Sequence, residues 1–133
     1  MQLDHIGLAV QDIENTSKFW TEAMGYQLTL EEDVPSMAVR VQKLTSHGTT
    51  IELLQPTGNE GAIAKFLQKR GPGIHHLSFH IENIEEATAR FAALGYKALY
   101  PQPRVGAGGC LVNFFHPKDT HGVLIEIAQE PSA

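Results

Sequence analysis

Two histidines and two glutamates occupy matching places in a sequence that repeats itself. His5 lies in LDHIGLAVQDI (3–13) and His76 in IHHLSFHIENI (74–84), 71 positions further on. At that offset Leu3, Ile6, Leu8, Val10 and Ile13 fall on Ile74, Leu77, Phe79, Ile81 and Ile84. Glu52 lies in GTTIELLQ (48–55) and Glu126 in the matching GVLIEIAQ (122–129). Imidazole nitrogens and carboxylate oxygens are the usual ligands of a divalent metal, and a duplicated module is a physical means of bringing four of them together. Two imidazoles with one or two carboxylates suit Zn, Co, Ni, Mn or Fe(II). Open positions on such an ion polarise a carbonyl or activate oxygen.

A single histidine in a strand is more often structural than a ligand, and a single glutamate usually sits on a wet face. The register of the repeat shifts that balance. Glu52 is flanked by Ile51 and Leu53, and Glu126 by Ile125 and Ile127. An ionised carboxylate among such neighbours needs a partner, because burying it unpaired is costly. His75 and His76 are adjacent and must face opposite ways if extended; the repeat selects His76. His80 shares the face of His76. His47, His116 and His121 fall in turn-like segments and are expected to be solvated, as are Glu31-Glu32 and the basic helix face of Lys65, Lys69 and Arg70. Cys110 reads as a small packing residue.

The elements that must position these groups are legible in outline. Ile6, Leu8 and Val10 alternate with His5, Gly7 and Ala9, and Leu77, Phe79 and Ile81 with His76, Ser78 and His80, the pattern of half-buried strands. Each strand leads into a helix, capped by Asp12 or Asn83 and stopped at Gly25-Tyr26 or Gly95-Tyr96. Phe19, Trp20, Ala23 and Met24 form one apolar stripe, and Ala87, Phe91 and Leu94 the other. The offset between the glycines is 70, so one helix has gained or lost a residue. Strands are expected near 27–32, 37–44 and 49–55, then near 97–101, 109–115 and 122–128. Each half therefore reads β-α-β-β-β. A connector contains the short helix GAIAKFLQKRG (61–71).

The fold expected is α+β: two tandem β-α-β-β-β modules forming a cupped, open-barrel mixed sheet with helices outside. The whole is one domain over 1–133, with module one at about 1–56, the connector at about 57–72 and module two at about 73–129. The chain is 42% hydrophobic and 19% charged, as an ordinary globular protein is. Its net charge of −5 and the absence of Lys/Arg runs exclude a nucleic-acid surface. No apolar stretch is long enough for a membrane span, and no signal peptide is evident. One cysteine excludes an intramolecular disulfide, and a cytoplasmic location is the expectation.

With LDHIGLAVQDIE, TIELLQP, IAKFLQKRGPGIHHLSFHIENI, GAGG and FFHPKDTHGVLIEI in view, the chain resembles the vicinal oxygen chelate (glyoxalase/bleomycin-resistance) superfamily over nearly its whole length. Within it the chain looks most like the methylmalonyl-CoA epimerases. The run from IAKFLQKRG into the His-His strand and the HPKD-x-x-GV-L-x-E ending are fairly specific to that branch, whereas the opening HIGLAV is widely shared. The resemblance implies a divalent metal (Co, Zn, Ni or Mn) held by His5, His76 and Glu126, with Glu52 at a fourth, variable place. It implies inversion at the α-carbon of methylmalonyl-CoA through a metal-stabilised enolate, with Glu126 as an acid/base group, an acyl-CoA substrate and a homodimer. Lys118, Arg104 and the Lys69-Arg70 pair are candidates for the CoA phosphates. Ser36, in DVPSMAVRV, stands where some epimerases place a second glutamate base. Two other readings remain: lactoylglutathione lyase or an Fe(II) extradiol-type dioxygenase, and a non-catalytic small-molecule-binding or resistance protein.

Overall fold

The computed structural model describes residues 1–132. Ala133, the last of the residues expected to be loose, lies outside them. The contacts divide the chain into two compact units, one of His5–His75 and one joining Met1–Asp4 to the residues from His76 onward.

In the first unit, β1 (Gln2–Ala9), β2 (Gln27–Val34), β3 (Val39–Ser46) and β4 (Thr49–Pro56) pair in the order β2-β3-β4-β1. β1 runs parallel to β4, with Gly7 opposite Glu52, and the other pairings are antiparallel. A parallel pair needs a crossover, and the helix that leaves β1 begins it. α1 (Ile13–Lys18) starts at Asp12, whose carboxylate accepts from Asn15 N at 3.1 Å. Its first free N–H, on Ile13, donates to Gln55 Oε1 at 2.8 Å. Ile13 and Trp20 then pack with Ile6, Leu8, Leu44, Ile51 and Leu53. The face of β1 and β4 that carries leucine and isoleucine is thus the one the helix covers. α2 (Ala62–Arg70), the expected connector helix, ends at Gly71 with φ +77° and belongs to this unit.

The second unit repeats the plan with β5 (Gly73–His80), α3 (Ile84–Ala93), β6 (Arg104–Val105), β7 (Leu111–Phe115) and β8 (Ile125–Gln129), in the order β5-β8-β7-β6. β5 is parallel to β8, with Ser78 opposite Glu126. Asn83 caps α3 by accepting from Glu86 N at 3.0 Å, and Ile84 N donates to Gln129 Oε1 at 2.8 Å. Gln55 and Gln129, one residue short of the end of TIELLQP and at the end of IEIAQ, thus tie each helix to its sheet in the same way. Ile84, Ala87 and Phe91 pack on Ile81, Phe115, Ile125 and Ile127.

The extra residue of the first helix is accommodated by a turn of π-helix, Phe19–Ala23, closed by Met24 N donating to Phe19 O at 3.2 Å. A one-residue insertion into a helix takes this form. The wider turn swings its side chains outward. Phe19 and Met24 are about half exposed, and Leu94, at the end of α3, is 70% exposed, so the apolar stripes are narrower than the sequence suggests.

The strand expected at 97–101 does not form; only Arg104–Val105 pair with β7. Pro101 and Pro103 lack N–H groups and break the ladder. The segment is held instead by a side chain: Asn113 Oδ1 accepts from Tyr100 N at 3.1 Å and Asn113 Nδ2 donates to Tyr100 O at 3.0 Å. The last strand begins at Ile125 rather than 122, because Thr120–Gly122 form a turn in which Gly122 has φ +106°. Asn113 is 1% exposed. Asn113→Ala should therefore lower stability by about 2–3 kcal/mol, through three lost hydrogen bonds, one of them from Phe114 N, and a small cavity, read as a lower urea midpoint with an unchanged slope.

Candidate metal centre

Each unit brings together one His–Glu pair, and the pairs are formed by the same strands. In the first, β1 supplies His5 and β4 supplies Glu52. The Gly7–Glu52 register puts Glu52 on the face of β1 that carries His5, opposite the helix. His5 Nε2 is 3.4 Å from Glu52 Oε2. In the second, β5 supplies His76 and β8 supplies Glu126, with His76 Nε2 3.8 Å from Glu126 Oε1. All four residues are buried, at 3–7% exposure. Both separations exceed the 2.7–3.2 Å of an N–H···O bond. In each pair the imidazole nitrogen and a carboxylate oxygen stand side by side on the same face. Within each unit the histidine and the glutamate are buried donors of the kinds that ligate a divalent metal.

The pairs differ in what stands beside them. Lys43 on β3 lies opposite Glu52, with its Nζ 3.9 Å from the same Oε2 that faces His5, and it is mostly buried. A cation there favours the ionised carboxylate. The matching position opposite Glu126 on β7 is Phe114, whose ring meets His76 edge-on at 6.0 Å. Tyr100 packs edge-on against Phe114 at 6.0 Å, and Arg104 stacks over Tyr100 at 3.7 Å. Sequence reasoning missed Lys43. Alternation within Val39–Leu44 separates it from Gln42 and Leu44, but only the β3–β4 register shows that it meets Glu52.

The remaining candidates are placed as follows. His75 packs edge-on against Phe66 of α2 at 5.0 Å. His47, His116 and His121 are exposed in turns, and His80 is half-buried. Glu31 is exposed but paired with Arg40 at 2.8 Å, and Glu32 is half-buried. Cys110 is half-buried. Ser36 is exposed in the single 3₁₀ turn Pro35–Met37. Lys65, Lys69, Arg70, Arg104 and Lys118 are exposed.

Residues 4–114 match the family described as Glyoxalase/Bleomycin resistance protein/Dioxygenase superfamily. The chain belongs to that superfamily. The mouse protein named methylmalonyl-CoA epimerase, mitochondrial, is 35% identical over 129 residues, which is 96% of this chain and 72% of the relative. The ethylmalonyl-CoA/methylmalonyl-CoA epimerase of Cereibacter sphaeroides is 37% identical over 96% of this chain and 97% of its own length. The crystal structure of methylmalonyl-CoA epimerase from Mycobacterium tuberculosis matches with a TM-score of 0.94 at 34% identity, over 98% of this chain and 89% of that one. A variant of the Streptomyces coelicolor methylmalonyl-CoA epimerase, in complex with 2-nitronate-propionyl-CoA, matches with a TM-score of 0.93 at 34% identity, over 99% of each chain. The glyoxalase fold that the resemblance implies is thus shared with solved epimerases along nearly the whole chain. No helix among the described residues is long and apolar enough to cross a membrane.

Burial pushes the imidazole of His75 down from 6.5 to about 4, and the charge of Glu52 opposes this only weakly. Between those values the unfolded chain takes up a proton that the folded chain refuses. Stability should therefore fall as pH drops from 6.5 towards 4. His75→Phe should flatten that part of the profile, as measured by denaturant midpoints across the window. An unchanged slope in the variant would remove His75 as its source.

Proposed function

We propose that the chain is a divalent-metal-dependent epimerase, a one-domain isomerase that inverts the α-carbon of methylmalonyl-CoA. The observation that carries this reading is the pair of buried His–Glu pairs at equivalent positions of two modules, in a chain whose relatives over 96% of its length include proteins named methylmalonyl-CoA epimerase. We take His5, Glu52, His76 and Glu126 as the metal ligands. The donor set fits: two neutral imidazoles and two carboxylates suit Co, Zn, Ni or Mn. Such an ion, when bound, supplies Lewis-acid stabilisation of negative charge on substrate oxygens.

The residues of the chain do the rest. The α-proton between a carboxylate and a thioester is acidic enough for a carboxylate to remove when the resulting charge is held. Glu126 takes that role in this reading. One of its oxygens faces His76 Nε2 at 3.8 Å. Phe114 keeps water from the same rung. In the first module Lys43 stands against Glu52, its Nζ 3.9 Å from Oε2. Exposed Arg104, Lys118 and the Lys69-Arg70 helix end are the candidates for the CoA phosphates, since the chain is acidic overall and any attraction must be local. A homodimer in the cytoplasm completes the reading; sedimentation and cell fractionation test those two points. Buried donors in both modules weigh against a non-catalytic binding protein, and the epimerase names of the relatives against the lyase and dioxygenase readings.

His5→Ala, His76→Ala and Glu126→Ala should each lose bound metal and lower turnover by at least about 10³-fold, as loss of metal-based stabilisation does, with the fold retained. His75→Ala should keep its metal. Glu52→Gln should bind metal more weakly but keep some activity. Metal counts on native protein give the readout, and loss of the ion from His75→Ala but not from His76→Ala would reverse the assignment of the strand face. With the intact enzyme in D₂O, methylmalonyl-CoA should gain one deuterium at C2 while its configuration scrambles. Exchange with retained configuration would sink the epimerase reading, as would oxygen consumption with Fe(II) and a phenolic substrate in place of exchange.

A further inference from the structure

Two buried side-chain polar atoms among the described residues have no hydrogen-bond partner, Gln42 Oε1 and Ser78 Oγ. They differ in kind. Gln42 still donates from Nε2 to Glu31 at 2.5 Å, and its register with Leu53 puts it on the helix-covered face. Ser78 is 0% exposed, and its hydroxyl, the side chain's one polar atom, makes no bond at all. A serine in a strand ordinarily finds a backbone carbonyl or water, because an orphaned buried donor is costly.

The position of this orphan is informative. Ser78 lies two residues after His76, so both side chains leave the same face of β5. It pairs directly with Glu126 across the parallel β5–β8 ladder, so its hydroxyl stands on the rung of the carboxylate assigned to proton transfer. The first module shows that the strand itself does not need a hydroxyl here. Gly7 occupies the equivalent place, opposite Glu52, with no side chain. The duplication therefore holds the backbone constant and adds one unsatisfied donor on the Glu126 side alone.

We infer that Ser78 is a substrate-binding residue whose hydroxyl donates a hydrogen bond to an oxygen of the bound acyl group. The inference rests on the epimerase reading above and adds to it a specific donor. The substrate class it fits is an acyl thioester bearing oxygens on either side of the α-carbon, since Glu126 must reach that carbon's proton from the same rung. No proton is transferred by Ser78; it supplies a bond to an oxygen that gains negative charge as the α-proton leaves.

The test combines stability with binding. Ser78→Ala removes an orphan, so the thermal midpoint of the free protein should be equal or higher, and its metal content unchanged. The same variant should bind 2-nitronate-propionyl-CoA, the ligand seen in a relative, roughly 10- to 100-fold more weakly by calorimetry and lose a similar factor in kcat/KM, the effect of losing a bond to a charged oxygen. Ser78→Cys, a weak donor of similar size, should fall between serine and alanine. A lower midpoint in Ser78→Ala would mean that the hydroxyl is already partnered in the free protein, by a buried water, and would overturn the inference. So would loss of metal, or binding and kcat/KM equal to those of the unmodified protein. If the unmodified protein itself neither bound this compound nor epimerised methylmalonyl-CoA, the functional reading would fail and this inference with it.

Discussion

A carboxylate taken out of water without a partner is destabilised by several kcal/mol, and this chain places two of them, Glu52 and Glu126, in the middle of strands that are otherwise apolar. Much of the local structure answers that constraint. Each glutamate is set by a parallel pairing to share a face with a histidine from the first strand of its module. Parallel pairing requires a crossover, and the crossover begins with a helix tied to the sheet through a glutamine on the same strand as the glutamate. The helix covers the leucine and isoleucine face and leaves the His–Glu face for chemistry. Placement of the charge, direction of the strand and position of the helix are thus one problem with one solution, used twice.

The two solutions are not identical, and the differences fall on the site face. Lys43 opposite Glu52 is matched by Phe114 opposite Glu126, and Gly7 by Ser78. One module sets its carboxylate opposite a lysine; the other sets it opposite a phenylalanine on one strand and a serine on the other. A duplicated binding site made of equal halves would favour ligation alone. Divergence at two positions gives the two carboxylates different neighbours, although both are buried to a similar degree. The π turn of the first helix is a further asymmetry, absorbed within the helix so that the register of the strands is preserved.

What the sequence made legible was whatever the repeat encodes twice. The first strands, the caps at Asp12 and Asn83, the terminating glycines and the two His–Glu sets all recur, and a recurring signal survives the noise of a single propensity. What it concealed were features present once. Lys43 meets Glu52 only through the β3–β4 register, which depends on turn geometry at Ser46–Thr49 rather than on composition. The segment around 97–101 has strand-like residues, yet Asn113, buried in the next strand, takes the place of a ladder partner while Pro101 and Pro103 prevent one. The exposure of Phe19 and Met24 follows from a helical turn of unusual width, which periodicity at 3.6 residues cannot anticipate.

Ser36 illustrates how a resemblance and a structure divide the labour. The resemblance marks its place as one where a base can stand; the structure puts it, exposed, in a short 3₁₀ turn followed by Ala38 at φ +54°. A serine hydroxyl is by itself a weak base. Inversion still requires a proton on each face of the α-carbon. The groups able to carry one must therefore come from the buried face of the strands rather than from that turn. Glu126 supplies the first in the proposed mechanism. On the site face of the first module Glu52 stands beside both His5 and Lys43, which makes it the group to test for the second.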